Sequence, residues 1–389
     1  MSVELPIYLD NHATTRVDPR VVDAMLPFYS EDYGNAASKS HAFGWRAEAA
    51  VEIARETLAN AIGAGSPREV VFTSGATESN NLALKGVAEM RRNRGDHLVT
   101  VATEHASVLD PCRYLESRGF RLTVLPVDRD GLVDPEAVRQ ALSDATILVS
   151  VMAANNEIGV LQPLEAIGAI CREREVLFHT DAVQALGKVP VDVDGWQVDL
   201  LSVSAHKLYG PKGVGALYVR RRRPRLRLVP LLHGGGHERG LRSGTLPVPS
   251  IVGFGRALAL CEAERAAEAR RLQGLRERLR ERLQGELAGV RLLGHATRRL
   301  PGNLNVAFEG VDADALIVAL HDVAVSSGSA CTSATPEPSH VVAALGLERG
   351  AERGSVRFGL GRFNTQEEID YAASRVIEEV RKLRGAAPS

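Results

Sequence analysis

Cysteine is scarce in this chain of 389 residues: Cys112, Cys171, Cys261 and Cys331 are the whole set, and no two stand in a CxxC pair. That spacing indicates neither a disulfide framework nor a zinc knuckle, so each thiol has to be judged by its neighbours. An excess of charge of either sign is also missing. Lys and Arg number 47 against 48 Asp and Glu, a net charge of -1, so no long-range field draws the chain to nucleic acid or to an anionic membrane. The start, Met1-Ser-Val-Glu-Leu-Pro-Ile-Tyr-Leu-Asp10, has neither a basic n-region nor an apolar h-region. No later stretch reaches the ~18 uninterrupted apolar residues of a membrane helix. Internal repeats and low-complexity segments are absent too. The expectation is a cytoplasmic protein with a small-molecule partner. With 44% apolar residues and roughly 150 residues per domain, it has room for two or three domains.

What is present is a rhythm. Between residues 70 and 220 short β-rich runs alternate with helical patterns: Val70–Thr73, His97–Ala102, Arg121–Val127, Thr146–Val151, Val176–His179, Leu200–Val203 and Gly215–Val219. The alternation predicts an α/β domain with a mostly parallel sheet between helices. Several runs are continuously apolar, as burial on both faces requires. Ligand sites in such sheets lie beyond the carboxyl ends of the strands. A charged, proline-free helical pattern over residues 256–285 leads to a second, α+β lobe. That lobe has strands around Asn303–Val306 and Ser355–Phe358, a Ser/Gly-rich stretch at 326–333 and a helix from about Thr365. The tail, Gly385 to Ser389, is expected to fray.

Three strand ends carry chemistry. After Val70–Thr73 comes Ser74-Gly-Ala-Thr-Glu-Ser-Asn80, where small residues admit a ligand close to the backbone and Thr77 is expected to cap the next helix. Such a helix start is a phosphate cup, although an ordinary strand-to-helix turn reads the same. Asp181 follows the run ending at His179. A buried carboxylate there needs a cation, either a protonated ring nitrogen or a structural Arg. Ser204, His206 and Lys207 close the run Leu200–Val203, and a desolvated lysine at such a place forms an imine with an aldehyde. Most lysines are simply solvated. The combination matters, in that order along the chain, with Lys207 placed 26 residues after Asp181.

On these residues the chain resembles the pyridoxal-phosphate enzymes of the class V aminotransferase family, and within it the cysteine desulfurases of the bacterial iron-sulfur-assembly type. The resemblance runs from Tyr8-Leu-Asp-Asn-His-Ala-Thr-Thr15 to Gly361-Arg-Phe363. Its most specific motifs are Phe72–Ser79, Thr103-Glu-His105, Asn155-Asn-Glu-Ile-Gly159, Ala205–Gly213, Arg242-Ser-Gly-Thr245 and Ser326–Ser333. It implies a type I pyridoxal-phosphate fold, with a large domain over 16–256 and a small domain made of 1–15 and 257–389. It implies pyridoxal 5'-phosphate as cofactor, its phosphate held by Ala76, Thr77, Ser204 and His206. Asp181 would pair with the ring nitrogen, Gln184 and Asn156 would meet the ring-oxygen side, His105 would stack on the ring, and Lys207 would carry the Schiff base. Thr245 would reach the phosphate of a second subunit, making a homodimer, and Arg357, helped by Asn156, would clamp the substrate carboxylate.

Proton removal by Lys207 alone fits a transaminase or a racemase as well. Cys331 makes the difference. The resemblance implies that as a thiolate it attacks the sulfur of bound L-cysteine, leaving L-alanine and a persulfide for an acceptor in iron-sulfur assembly or tRNA thiolation, with His105 as proton shuttle. Its polar loop gives a structural cysteine little to pack against, and the loop's length suggests that Cys331 swings between cofactor and acceptor. Cys112, Cys171 and Cys261 sit in helical patterns and read as inert. Rival readings are a selenocysteine lyase or class V transaminase, or a non-catalytic sulfur-relay or RNA-binding protein of the same fold.

The basic run Arg220–Arg227 lacks the aromatic residues that stack on bases and reads as a solvated turn. His233-Gly-Gly-Gly-His237 cannot hold a helix that aims both rings at a metal, so it reads as a loop. Arg16 and His12 depart from some relatives. The chain as given ends four residues after Gly385, where relatives that dock an iron-sulfur scaffold continue, which leaves scaffold docking open at this point.

Overall fold

The computed structural model describes residues 3–221, 226–327, 339–347 and 354–386. All seven runs between residues 70 and 219 are strands of one sheet. Their order across it is Val70–Thr73, Gly215–Val219, Leu200–Ser204, Leu177–Asp181, Thr146–Ser150, His97–Val101, Arg121–Leu125. Gly215–Val219 runs antiparallel to both its neighbours, and the remaining adjacent pairs are parallel. Helices cover both faces, so six of the strands are buried along their whole length; Arg121–Leu125, at one edge, keeps exposed positions. Polar side chains inside the sheet bond across it. His179 is fully buried, its ring bonded to Ser150 Oγ at 2.8 Å and Ser202 Oγ at 3.0 Å on the flanking strands. Burial pushes it down to about 3, so the ring is neutral.

The helix over Val248–Glu286 joins two apolar cores. Ile251, Phe254 and Leu258 belong to the core of the large sheet, while Leu272, Leu275, Leu279 and Leu283 belong to the second. It begins eight residues before the charged pattern at 256, because its first two turns are apolar and Pro249 sits where no helical N–H partner is needed. In the second core an antiparallel sheet, ordered Ser326–Ser327, Ser355–Gly359, Asn303–Phe308, Val290–Leu292, packs against the helix Gln366–Ala386. That helix turns Ile369, Ala372, Ala373, Val376 and Val380 inward at helical spacing. The N-terminal segment joins this lobe: Ile7–Tyr8 pairs in parallel with Val323–Ala324, and Ile7 and Leu9 are in its core. On these cores we propose the division into 16–256 and 1–15 with 257–389.

The outer edge of Val70–Thr73 is sealed by side chains. Glu238 accepts from Phe72 N at 2.8 Å and from both terminal nitrogens of Arg55 at 2.7 and 2.8 Å, and Arg55 also donates to Val70 O at 2.9 Å. Both side chains are 3% exposed. Removing one partner strands a buried charge, which typically costs 3–5 kcal/mol, and frees a strand edge as well. Glu238→Ala is expected to lower the denaturation free energy by about 3–5 kcal/mol; a loss below about 1 kcal/mol in urea unfolding would contradict this role.

Candidate active site

Three strands, Val70–Thr73, Leu177–Asp181 and Leu200–Ser204, end at one edge of the sheet, and the antiparallel Gly215–Val219 begins there. Gly215 opens this edge: a Cβ on it would lie 2.7 Å from Gly75 Cα and 2.6 Å from Val203 O. Beyond the edge is a cavity of about 530 Å³. Its walls hold Ala76, Thr77, His105, Asn156, Asp181, Gln184, Ser204, His206, Lys207 and Arg357, the ten expected site residues other than Thr245 and Cys331. Thr245 is exposed and does not line it. Cys331 lies outside the described residues.

The helix Ala76–Arg91 starts at this wall. Its N-cap is Gly75, with φ 154 and no side-chain cap, and Thr77 lies inside the first turn, so it does not cap the helix as expected. A threonine can cap only from the residue before the first helical one, and that place belongs to glycine because the chain passes through a conformation side chains resist. The consequence is a helix start whose first N–H groups have no side-chain acceptor, facing Ser204 and His206 across the cavity. Arg242, three residues before Thr245, grips this turn through Glu78 at 2.9 Å, and Glu78 accepts from Ser74 N at 2.9 Å.

Asp181 is 5% exposed and makes no ion pair among the described residues. One oxygen accepts from Val183 N at 3.0 Å, the other from the Asn80 amide at 2.8 Å. Among the described residues, no structural Arg of the kind that the sequence left open is its partner. The second Asn80 N–H goes to Ser107 Oγ at 2.9 Å. His105 Nδ1 accepts from Ser107 N at 3.0 Å, so it carries no proton, and the Ser107 hydroxyl donates to it at 2.8 Å. The His105 proton is then on Nε2. Burial holds this ring below the usual histidine range, against the pull of Asp181. Burial and the Lys207 charge push His206 down to about 4. Both histidines are neutral at pH 7.

Lys207 ends a short 3₁₀ turn after Ser204, and its Nζ donates to the carbonyls of His12, at 2.7 Å, and Ala13. Arg357 is 1% exposed. Its terminal nitrogens donate to Asp10 at 2.7 Å, Asn156 O at 3.0 Å and Ser326 Oγ at 3.2 Å, while its Nε is buried without a partner. Cys112, Cys171 and Cys261 are buried in helices, and burial pushes their thiols up to about 12, 12 and 11. Sequence reasoning passed over Asn80, Ser107, Asp10 and the carbonyls of His12 and Ala13. Only Asn80 and Asp10 left a trace, as polar residues inside stretches already noticed, Ser74–Asn80 and Tyr8–Thr15. Among the described residues there is no cluster that could hold a metal and no helix long and apolar enough to cross a membrane.

Pyridoxal phosphate asks for an anion cup, an acid at its ring nitrogen and an amine at its aldehyde, and a cavity of this size with these walls fits it. The chain belongs to the aminotransferase class-V family, whose profile matches residues 7–372. It is 58% identical over 386 residues to the cysteine desulfurase IscS of Anaeromyxobacter sp. (strain Fw109-5), covering 99% of this chain and 95% of that one. Among solved structures, a NifS-like protein superposes with a TM-score of 0.90 at 40% identity, covering 97% of this chain and all (100%) of that one. A structure titled SspA in complex with cysteine gives 0.81 at 38% identity, over 92% and 100%.

One carboxyl in this region titrates near neutrality. Glu157, in the segment Asn155–Gly159, is 5% exposed and accepts from Ser339 Oγ. Burial pushes it up to about 7, against the Ser339 hydrogen bond and the Arg357 charge. A carboxyl raised in the folded state makes the fold most stable below its unfolded value of about 4.5. That stability is lost as pH climbs to about 7. Glu157→Gln keeps an acceptor for Ser339 without the charge. It is expected to gain about 2–3 kcal/mol on the parent protein between pH 5 and 8 in urea unfolding; parallel pH curves for the two proteins would contradict this.

Proposed function

We propose that this chain is a pyridoxal-phosphate-dependent cysteine desulfurase: it takes the sulfur of L-cysteine onto Cys331 and releases L-alanine. The observation that carries the reading is the single cavity in which the uncapped helix start at Ala76, the buried Asp181 and the amine of Lys207 meet. Identity to a named cysteine desulfurase over 99% of the chain supports the reaction.

Ala76, Thr77, Ser204 and His206 would hold the phosphate, Asp181 the ring nitrogen, Gln184 and Asn156 the ring-oxygen side, and Lys207 the aldehyde carbon, with His105 against the ring. When bound, the cofactor supplies an electron sink conjugated to the substrate's Cα. Asp181, held by Asn80 and Val183, would keep the ring nitrogen protonated. Lys207 would take the Cα proton. Arg357, on the cavity wall, would orient the substrate through its carboxylate. The Cys331 thiolate attacks the substrate Sγ. The Sγ–Cβ bond breaks, a sulfur–sulfur bond forms on Cys331, and protons delivered through His105 and Lys207 complete L-alanine. His105 suits that transfer because Ser107 fixes its tautomer with the proton on Nε2.

We further infer a cytoplasmic homodimer that passes its persulfide to an acceptor protein or scaffold. Thr245 supports the dimer: it is exposed and does not line its own cavity, yet its loop is tied to the helix start by Arg242 and Glu78.

Incubation with L-cysteine is expected to add one sulfur to the intact mass, located on Cys331, with alanine rather than a keto acid as product. Cys331→Ala should lose both while keeping the cofactor's visible absorbance; full retained turnover would sink the assignment. Lys207→Ala should lose the absorbance of the lysine-linked cofactor. Arg357→Lys, which gives up the planar fork, should raise KM for cysteine at least about ten-fold, and an unchanged KM would remove Arg357 from the substrate site.

A further inference from the structure

Behind Gln184 lies a second cavity of about 30 Å³, the space of about one water. Lys188 lines it, and His12 borders both cavities. The Lys188 Nζ donates to Gln184 Oε1 at 2.7 Å, and His12 Nδ1 meets the same oxygen at 3.2 Å. Gln184 Nε2 donates to His12 O at 2.9 Å, the carbonyl that also accepts from Lys207.

We propose that Lys188 is a positioning residue for the cofactor, fixing the Gln184 amide so that an N–H, and not the carbonyl, faces the cofactor's ring oxygen. This rests on the functional reading above. An ammonium can only donate, so the amide oxygen has to turn toward it. With Oε1 occupied by Lys188 and His12, and one Nε2 hydrogen on the His12 carbonyl, the second Nε2 hydrogen is left for the cavity. Lys188 has no other work in the fold, since it makes no salt bridge among the described residues. The acids around its cavity are engaged elsewhere, Glu264 with Arg20 and Arg362, and Glu268 with Arg271. The Cys261 thiol and the Tyr209 hydroxyl are held neutral by burial. Lys207, Arg357, Arg362, Arg265 and the neutral His12 are the remaining titratable groups near it. Burial and the charge on Lys207 bring Lys188 itself down to about 7. A half-buried lysine with no counter-ion among the described residues, bonded to one side-chain amide oxygen, is an arrangement that packing alone does not require.

An N–H aimed at the ring oxygen, backed by a cation, lowers the proton affinity of the bound cofactor. The test is the pH titration of the holoenzyme's visible absorption, together with cofactor retention on dialysis. Lys188→Met should raise the absorption midpoint by about half a pH unit or more and loosen the cofactor several-fold. Lys188→Arg should stay near the parent. In a Gln184→Ala background, Lys188→Met should add little. Gln184→Glu covers the case in which Lys188→Met does not fold: it keeps an acceptor for Lys188 but has no N–H, and its midpoint should rise too. An unchanged midpoint in Lys188→Met or Gln184→Glu, or an equal shift with and without Gln184, overturns the proposal. Failure of the parent protein to bind pyridoxal phosphate would overturn the functional reading instead, so the two failures are distinguishable.

Discussion

A carboxylate taken out of water beside neutral donors is the constraint on which the site depends. Asp181 sits at the end of a central strand with one backbone N–H and one side-chain amide as its partners, and isolated buried charge is costly. It stays tolerable because the buried Glu104 does not add a second charge. Glu104, fully buried next to His105, is pushed well above the usual carboxylate range by burial and by the charge of Asp181. It therefore keeps its proton, and the region carries one negative charge instead of two. Glu78, also on the cavity wall, is paired with Arg242, so Asp181 is the acid left to select a ligand that brings its own cation to this point, and the parallel sheet supplies the point by ending its strands together.

The cations show the complementary solution. The charges of Lys207 and Arg357 are close enough to add to burial in lowering the proton affinity of Lys188. Among the described residues these three side chains donate to backbone carbonyls, an amide oxygen, the Ser326 hydroxyl and the carboxylate of Asp10. The histidines between them are kept neutral by burial. Positive charge in the cavity is thereby left to the lysines and the arginine, groups that bind an aldehyde or a carboxylate, while the rings remain able to exchange protons.

The strands and their ends were legible in the sequence because burial on both faces writes itself as continuous apolar runs. Val70–Thr73 and Gly215–Val219 have the same bounds in the sequence and in the structure. The long helix was legible only from its charged part. Its apolar start at Val248 belongs to the core, and a buried helix segment of that length carries no period that sets it apart from a strand. Within the site, residues that lie at strand ends or in dense motifs were readable. Asn80 was not, because its task is to join Asp181, 101 residues away, to Ser107, 27 residues away, and such a bridge exists only once helix and sheet have packed. Carbonyl acceptors such as those of His12 and Ala13 leave no signature at all, since every residue has one.

Arg357 shows why the smaller lobe is needed at a site built mainly by the larger one. A guanidinium 1% exposed must be held by more than one partner. Asp10 comes from the N-terminal segment, Ser326 from the neighbouring strand of the second sheet, and Asn156 from a loop of the large sheet. Three contacts from three segments fix the plane of the fork before any substrate arrives, which removes most of the ordering cost that a long side chain otherwise incurs on binding. The N-terminal segment that provides Asp10 also provides the carbonyls on Lys207, and it hydrogen-bonds through Thr15 to the turn that carries Lys207. A shift of the small lobe would thus move the carboxylate-binding group and the contacts of the amine together, because the short segment Asp10–Thr15 is bonded both to Arg357 and to the turn that carries Lys207.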